Sequence, residues 1–157
     1  FKVLPLNASQ YIGFLNFKGS LSNPETCFLT NADKEMIGVV VSSVTCCSSC
    51  LTTHGDALRG YTTNPLLVAK PSYNFRSAKD MLTEKQYALC EYAWYVTKHA
   101  DEIGEDQIEK LRAVGFNDHE ILEAAFVAGF FNYTNRWVST IAPVANPGHF
   151  SHNRNFD

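Results

Sequence analysis

The sequence predicts an all-α fold, and three observations carry that prediction. Capping residues recur ahead of apolar runs, each with a partner three positions on: Thr30 with Asp33, Thr83 with Gln86, Asn117 with Glu120. The apolar residues that follow are spaced as on one helix face, and from Asp118 to Ile141 they cover nearly every face (Ile121, Leu122, Ala125, Phe126, Val127, Phe130, Phe131). No stretch alternates with the period of a half-buried strand. Val39-Val40-Val41 is strand-like in composition, but its capped, helically periodic flanks decide for helix.

Residues 1–28 scatter apolar and aromatic side chains among Gly13, Gly19 and Asn23-Pro24, which predicts an arm with one short helix, packed on a neighbour or on its own domain. The opening Phe1-Lys2-Val3-Leu4-Pro5 has no start Met, which points to a trimmed or disordered end. Phe1 to Phe17 lacks the basic region and small-residue cleavage site of a signal peptide. The first clear helix runs from Thr30 to Val44 with Met36, Val39, Val40 and Val44 as its apolar stripe. Thr45 and Cys46 connect it to a second helix, Cys47 to Arg59, ended by Gly60. Asn64-Pro65 opens a short helix through Ala69, Pro71 stops it, and 71–81 reads as an exposed polar loop. Thr83 starts a helix of about sixteen residues reaching His99; Gly104 to Val114 (Ile108, Leu111) is closed by Gly115; Asp118 to Ile141 is the longest helix. That last helix is too apolar for a solvated face, so burial within or between subunits is expected. Pro143 and Asn146-Pro147-Gly148 begin a polar tail, in which His149 and His152 are expected to be solvated.

With 157 residues the chain suits one domain with a real core. Hydrophobic residues make up 45% and charged residues 18%, so disorder is not suggested, and a formal net charge of −3 argues against a nucleic-acid partner. No apolar run reaches the ~20 residues of a membrane span. Five cysteines are an odd number, and Cys46, Cys47 and Cys50 crowd together, unlike the evenly spread set of a secreted disulfide scaffold. A reducing compartment such as the cytoplasm is expected. Cys27 and Cys90 read as small buried hydrophobes, and Cys46 as a bystander.

The functional stretch is Glu35 to His54. On a helix beginning at Cys47, residues Cys47, Cys50 and His54 fall at i, i+3 and i+7, on one face. Both sulfurs would sit in the first turn, where unpaired N–H groups and the helix dipole favour a thiolate. In the antiparallel hairpin of the two helices, Glu35 lies about as far before the turn as His54 lies after it, so at ~1.5 Å rise per residue they meet at one height. An acid, an imidazole and a dithiol therefore converge, which is a redox arrangement. A structural zinc site is the alternative, and its only obvious fourth ligand is Glu35 or Cys46; an inert pair is the other.

The pattern Glu35-x11-Cys47-x2-Cys50-x3-His54, with Leu29-Thr30 before and Ala57-Leu58-Arg59 after, resembles the alkylhydroperoxidase D (AhpD)-like core of the carboxymuconolactone decarboxylase superfamily. Leu82-Thr83, Ala93 to Thr97, Leu111 to Phe116 and Phe131 to Arg136 are similar to its peroxidase-related branch, so the resemblance spans roughly residues 29–137. Residues 1–28 would then be an arm and 142–157 a tail of a single 1–157 domain. The resemblance implies an AhpD-like bundle of helical hairpins, assembled as a homotrimer or homohexamer, that reduces hydrogen peroxide or organic hydroperoxides. It implies Cys50 as the peroxidatic thiolate, Cys47 as the resolving thiol, and Glu35 and His54 as a proton relay through a water. It also implies a dithiol or lipoyl-type reductant; no flavin, haem or nucleotide motif appears, so no cofactor is expected. The well-studied peroxidases of this family carry a His immediately before the second cysteine, where this chain has Ser49. The runner-up functions are a lyase like the superfamily's namesake, whose members generally lack the CxxC, and a redox-sensing oligomer. Asn132, Asn135 and Arg136 are expected to tie helix ends or subunits together, and Tyr92, Trp94, Tyr95, Phe130, Phe131 and Trp137 to serve the core first and pocket walls second.

Overall fold

The computed structural model describes residues 6–141, 143–152 and 154. The opening Phe1 to Pro5 lies outside them, and with it the segment on which the expectation of a trimmed end rests. Seven α-helices are described: α1 (Ala8–Ser20), α2 (Asn31–Val44), α3 (Ser48–Arg59), α4 (Leu66–Asn74), α5 (Glu84–Lys98), α6 (Glu105–Ala113) and α7 (Asp118–Ile141). No strand occurs among the described residues, and no helix of theirs is long and apolar enough to cross a membrane. The fold is all-α.

The caps lie where the sequence puts them. Thr30 accepts from the Asp33 N–H while Asp33 reaches back, and Thr83 with Gln86 does the same, so α2 and α5 each begin in a complete capping box. Asn117 and Glu120 exchange the same two bonds ahead of α7.

The helix buried all round is α2 rather than α7. Met36, Ile37, Val39, Val40, Val41 and Ser42 are all buried, because α3, α4, α5 and α7 pack around it. A stripe of Met36, Val39, Val40 and Val44 thus understates it, and Val44 is only half-buried. In α7, Ile121, Ala124, Val127, Phe130 and Val138 face the core, whereas Leu122, Phe126 and Tyr133 are exposed.

The expected stop at Pro71 is wrong. Pro71 lies inside α4, fully buried, and the chain continues to Asn74 and then into a 3-10 turn, Phe75–Ala78. A proline here forfeits one backbone bond, and burial of its ring together with Val68, Phe75 and Ala78 offsets that. Pro71, Phe75 and Ala78 therefore belong to the core, while Tyr73, Asn74, Arg76 and Ser77 between them are exposed as expected.

One buried ion pair escaped the sequence. Lys34 and Glu123 meet at 3.0 Å with side chains only 9% exposed. Glu123 also accepts from the backbone N–H groups of Phe28 and Leu29, and Lys34 donates to the Leu21 carbonyl at 3.0 Å. The pair fastens the segment after α1 to α2 and α7. Burial alone would raise the Glu123 carboxyl, but the N–H groups of Leu29 and Phe28 and the Lys34 ammonium outweigh it and hold it below its usual range. Burial opposes the Lys34 charge, yet contacts with Cys27 and Glu123 raise it above its usual value.

A carboxyl held low in the folded chain adds stability above the ordinary carboxyl range, and that stability is lost as pH falls through the folded value. Glu123→Gln is expected to cost about 2–3 kcal/mol near neutral pH, as for a lost hydrogen bond to a charged group. It should also flatten the acid limb of the stability profile, read by denaturant unfolding at a series of pH values. An unchanged acid limb would refute the linkage.

Candidate active site

The site begins at the turn between α2 and α3. Cys46 adopts φ +56°, the left-handed region. The Cys46 N–H donates to the Ser43 carbonyl at 3.3 Å and the Cys47 N–H to the Ser42 carbonyl at 3.1 Å. This is a Schellman turn with cysteine where glycine is usual, at a conformational cost of about 1 kcal/mol. From α7, the fully buried Asn135 donates to Ser42 Oγ at 3.1 Å and Thr45 Oγ1 at 2.9 Å, fixing the turn that aims Cys47. Asn132 donates to Thr97 Oγ1 of α5 at 3.0 Å and accepts from Arg136, so these polar residues of α7 do tie elements together.

Cys47 is the N-cap of α3 and is joined to Cys50 by a disulfide, with Cα atoms 5.3 Å apart. Both are buried and pack with Val138 and Trp137 of α7. Their place at the helix N-terminus puts unpaired N–H groups and the positive end of the dipole beside the sulfurs.

One turn on, His54 Nδ1 lies 2.8 Å from Glu35 Oε2. An ionised carboxylate only accepts, so Nδ1 donates, and in the neutral imidazole Nε2 keeps the lone pair. The ring sits on the backbone of Gly38, one turn beyond Glu35 on α2: a Cβ there would lie 2.7 Å from His54 Cγ and Nδ1. Phe131 covers it from α7, with centroids 4.3 Å apart. The imidazole is thereby held in one orientation.

Two cavities flank the disulfide. The one on the Cys50 side, about 140 Å³, is lined by Cys50, His54 and the rings of Phe14, Phe130, Phe131 and Trp137. The other, about 400 Å³, is lined by Cys46, Cys47 and tail residues including Val144 and Phe150. Ser49 borders both.

All four site residues expected from the sequence, Glu35, Cys47, Cys50 and His54, thus lie together between α2, α3 and α7. In this structure the two sulfurs are bonded to each other and Glu35 is engaged by His54. Cys46 is exposed and Cys90 buried; burial pushes the Cys90 thiol up to about 12. Cys27, expected in the core, is only half-buried at the α1–α2 connection, 3.6 Å from the Ser20 carbonyl. The tail is also misjudged: His149 Nδ1 bonds Asp56 Oδ2 at 2.7 Å, so it docks on α3. Sequence reasoning missed Gly38, although a glycine one turn after Glu35 in a β-branched helix was the available signal. It placed Phe130, Phe131 and Trp137 in the core ahead of the pocket, whereas they do both.

The helical hairpin of α2 and α3 thus carries a CxxC disulfide beside a His–Glu pair. A peroxidase-related protein from Silicibacter sp. TM1040 is 35% identical, with TM-score 0.87 over 94% of this chain and 76% of that one. Another peroxidase-related protein with an AhpD core, from Ralstonia eutropha JMP134, is 28% identical, with TM-score 0.90 over 98% and 79%. The debrominase Bmp8 shares the fold at 15% identity, TM-score 0.79, over 94% and 77%. No protein-family model and no curated protein matches the chain. The chain belongs to the AhpD-like, peroxidase-related family.

Alanine at an ordinary helix-interior glycine stabilises by about 1 kcal/mol. At Gly38 the sign should reverse: Gly38→Ala forces the His54 ring off Glu35 and should cost about 1–3 kcal/mol, as overpacking does. Thermal unfolding checks this, and a stabilised Gly38→Ala protein would contradict the close approach.

Proposed function

We propose that the protein is a thiol-dependent peroxidase that reduces hydrogen peroxide or organic hydroperoxides by cycling the Cys47–Cys50 pair. The observation that carries this reading is a dithiol able to close as a disulfide, with Cys50 opening onto an apolar cavity that the buttressed His54 shares.

His54 Nε2 takes the Cys50 proton while Glu35 holds Nδ1–H, and the helix N-terminus stabilises the sulfur anion. Cys50 attacks the terminal peroxide oxygen, the O–O bond breaks, and the proton returns to the leaving alkoxide or hydroxide. The sulfenic acid condenses with Cys47, releasing water and forming the disulfide. An external dithiol or lipoyl-type reductant then restores both thiols by exchange and is itself oxidised to a disulfide. Ser49 leaves the position of the family's additional His without an imidazole, so His54 carries the proton alone. A reducing compartment such as the cytoplasm suits such a cycle. The exposed Leu122, Phe126 and Tyr133 on α7 support assembly as a homotrimer or homohexamer, which sedimentation of the pure protein tests.

Peroxide consumption with dithiothreitol or dihydrolipoamide tests the function. Cys50→Ser is expected to abolish turnover, and Cys47→Ser to permit one oxidation and stall as a sulfenic acid, seen by mass spectrometry after one equivalent of peroxide. His54→Ala should slow oxidation by about 10²-fold or more. An oxidised Cys50→Ser with an untouched Cys47→Ser would reverse the two roles. Disulfide cycling without peroxide consumption would instead favour a redox switch.

A further inference from the structure

We infer that Asp56, His149 and His152 form a site for a first-row transition metal of the Zn²⁺ class, separate from the dithiol. The three bring one ligand atom each to one place, all within 4.8 Å of one another. His149 Nδ1 is 2.7 Å and His152 Nδ1 3.6 Å from the same oxygen, Asp56 Oδ2. Ligands about 2.0–2.2 Å from a tetrahedral ion lie roughly 3.3 Å apart, so these separations bracket what the ion needs.

A plain hydrogen bond between tail and helix does not account for the arrangement. One imidazole satisfies Oδ2, yet a second presents the same ring nitrogen to it from beyond bonding distance. The Asp56 side chain is only 10% exposed, and its Oδ1 accepts no hydrogen bond among the described residues. A buried carboxylate with one oxygen lacking a hydrogen bond and a guanidinium only at 3.6 Å gains from a directly bound cation. Arg59 forms a long ion pair with Oδ1 at 3.6 Å and spends its hydrogen bonds on the His149 carbonyl at 3.0 Å and the His152 carbonyl at 3.2 Å. It works as a bracket that holds both histidines over Asp56. Gly148 contributes too, since the His152 ring lies over it, with Cε1 3.0 Å from where a Cβ would be.

Two histidines and one carboxylate make a three-ligand set, and His152 is 66% exposed, so the fourth position is open to water. Arg59, with Arg154 close to it, repels every dication, so the ligand atoms must supply the affinity, and two of the three are imidazole nitrogens. The site should therefore select metals that favour imidazole nitrogen over Mg²⁺ or Ca²⁺. Binding would rivet the tail to α3, and Val144, Ala145 and Phe150 of that tail line the cavity on the Cys47 side. The ion would fix that wall without touching the sulfurs.

The test uses the full chain with its disulfide closed, so that Cys47 and Cys50 cannot ligate. Isothermal titration with Zn²⁺ should give one equivalent bound, with Mg²⁺ and Ca²⁺ inert. His149→Ala/His152→Ala should weaken Zn²⁺ binding by about 100-fold or more, beyond the 10–100-fold typical of a supporting contact. Both substituted residues are in the tail, so the helices keep their core, and far-UV circular dichroism checks that. Co²⁺ should give a tetrahedral visible spectrum in the wild type and none in the double variant. No Zn²⁺ binding by the wild type, or equal binding by the double variant, overturns the site. Binding lost in Cys46→Ser but kept in the double variant assigns the metal to the thiol instead, and overturns it equally.

Discussion

The structure depends on one close approach, the seating of the His54 ring on the backbone of Gly38. It sets how near α3 can come to α2, and so whether Nδ1 reaches Glu35 at 2.8 Å. It also sets the rotation of α3 about its axis, which decides where Cys50, one turn earlier, directs its sulfur. Phe131 closes the other side. A histidine held between a glycine and a phenyl ring, with one nitrogen committed to a carboxylate, has one orientation, and its neutral form presents the other nitrogen's lone pair. That is what a proton carrier beside a thiol requires.

Rigidity comes from α2, which four other helices surround and whose Ile37, Val39, Val40 and Val41 are almost wholly excluded from water. Chemistry sits at its two useful places: Glu35 and Gly38 where α3 crosses, and the Schellman turn at its end, where Cys46 bears an unfavourable backbone angle. Asn135 stabilises that turn from α7. Strain in the turn and a hydrogen-bonded brace on it belong together, because the brace holds the dithiol in register with the imidazole. The aromatic residues of α7 then complete the cavity wall.

Much of this is legible in the sequence because it is local. Capping boxes, the closing Gly115 and the i, i+3, i+7 face of Cys47, Cys50 and His54 are properties of a few adjacent residues, and helix rise alone brings Glu35 to the level of His54. What escapes is tertiary. Pro71 reads as a stop because propensity does not know that burial offsets a lost bond. The Lys34–Glu123 pair joins residues far apart in the chain, and nothing near either one marks it. His149 and His152 look like tail residues until the tail folds back on Asp56. The all-round apolar pattern of α7 misleads in the opposite sense, since α2 is the helix buried on every side.

The central claim is that His54, set by Glu35 and Gly38, makes Cys50 a thiolate ready to attack. The most direct measurement is thiolate absorbance near 240 nm against pH for the reduced protein, beside His54→Gln and Cys50→Ser. The account predicts one thiol titrating well below the ~8.5 of a free cysteine. That transition should vanish in Cys50→Ser and move upward in His54→Gln. A wild-type curve with no transition below ~8.5, or one that His54→Gln leaves in place, would contradict it.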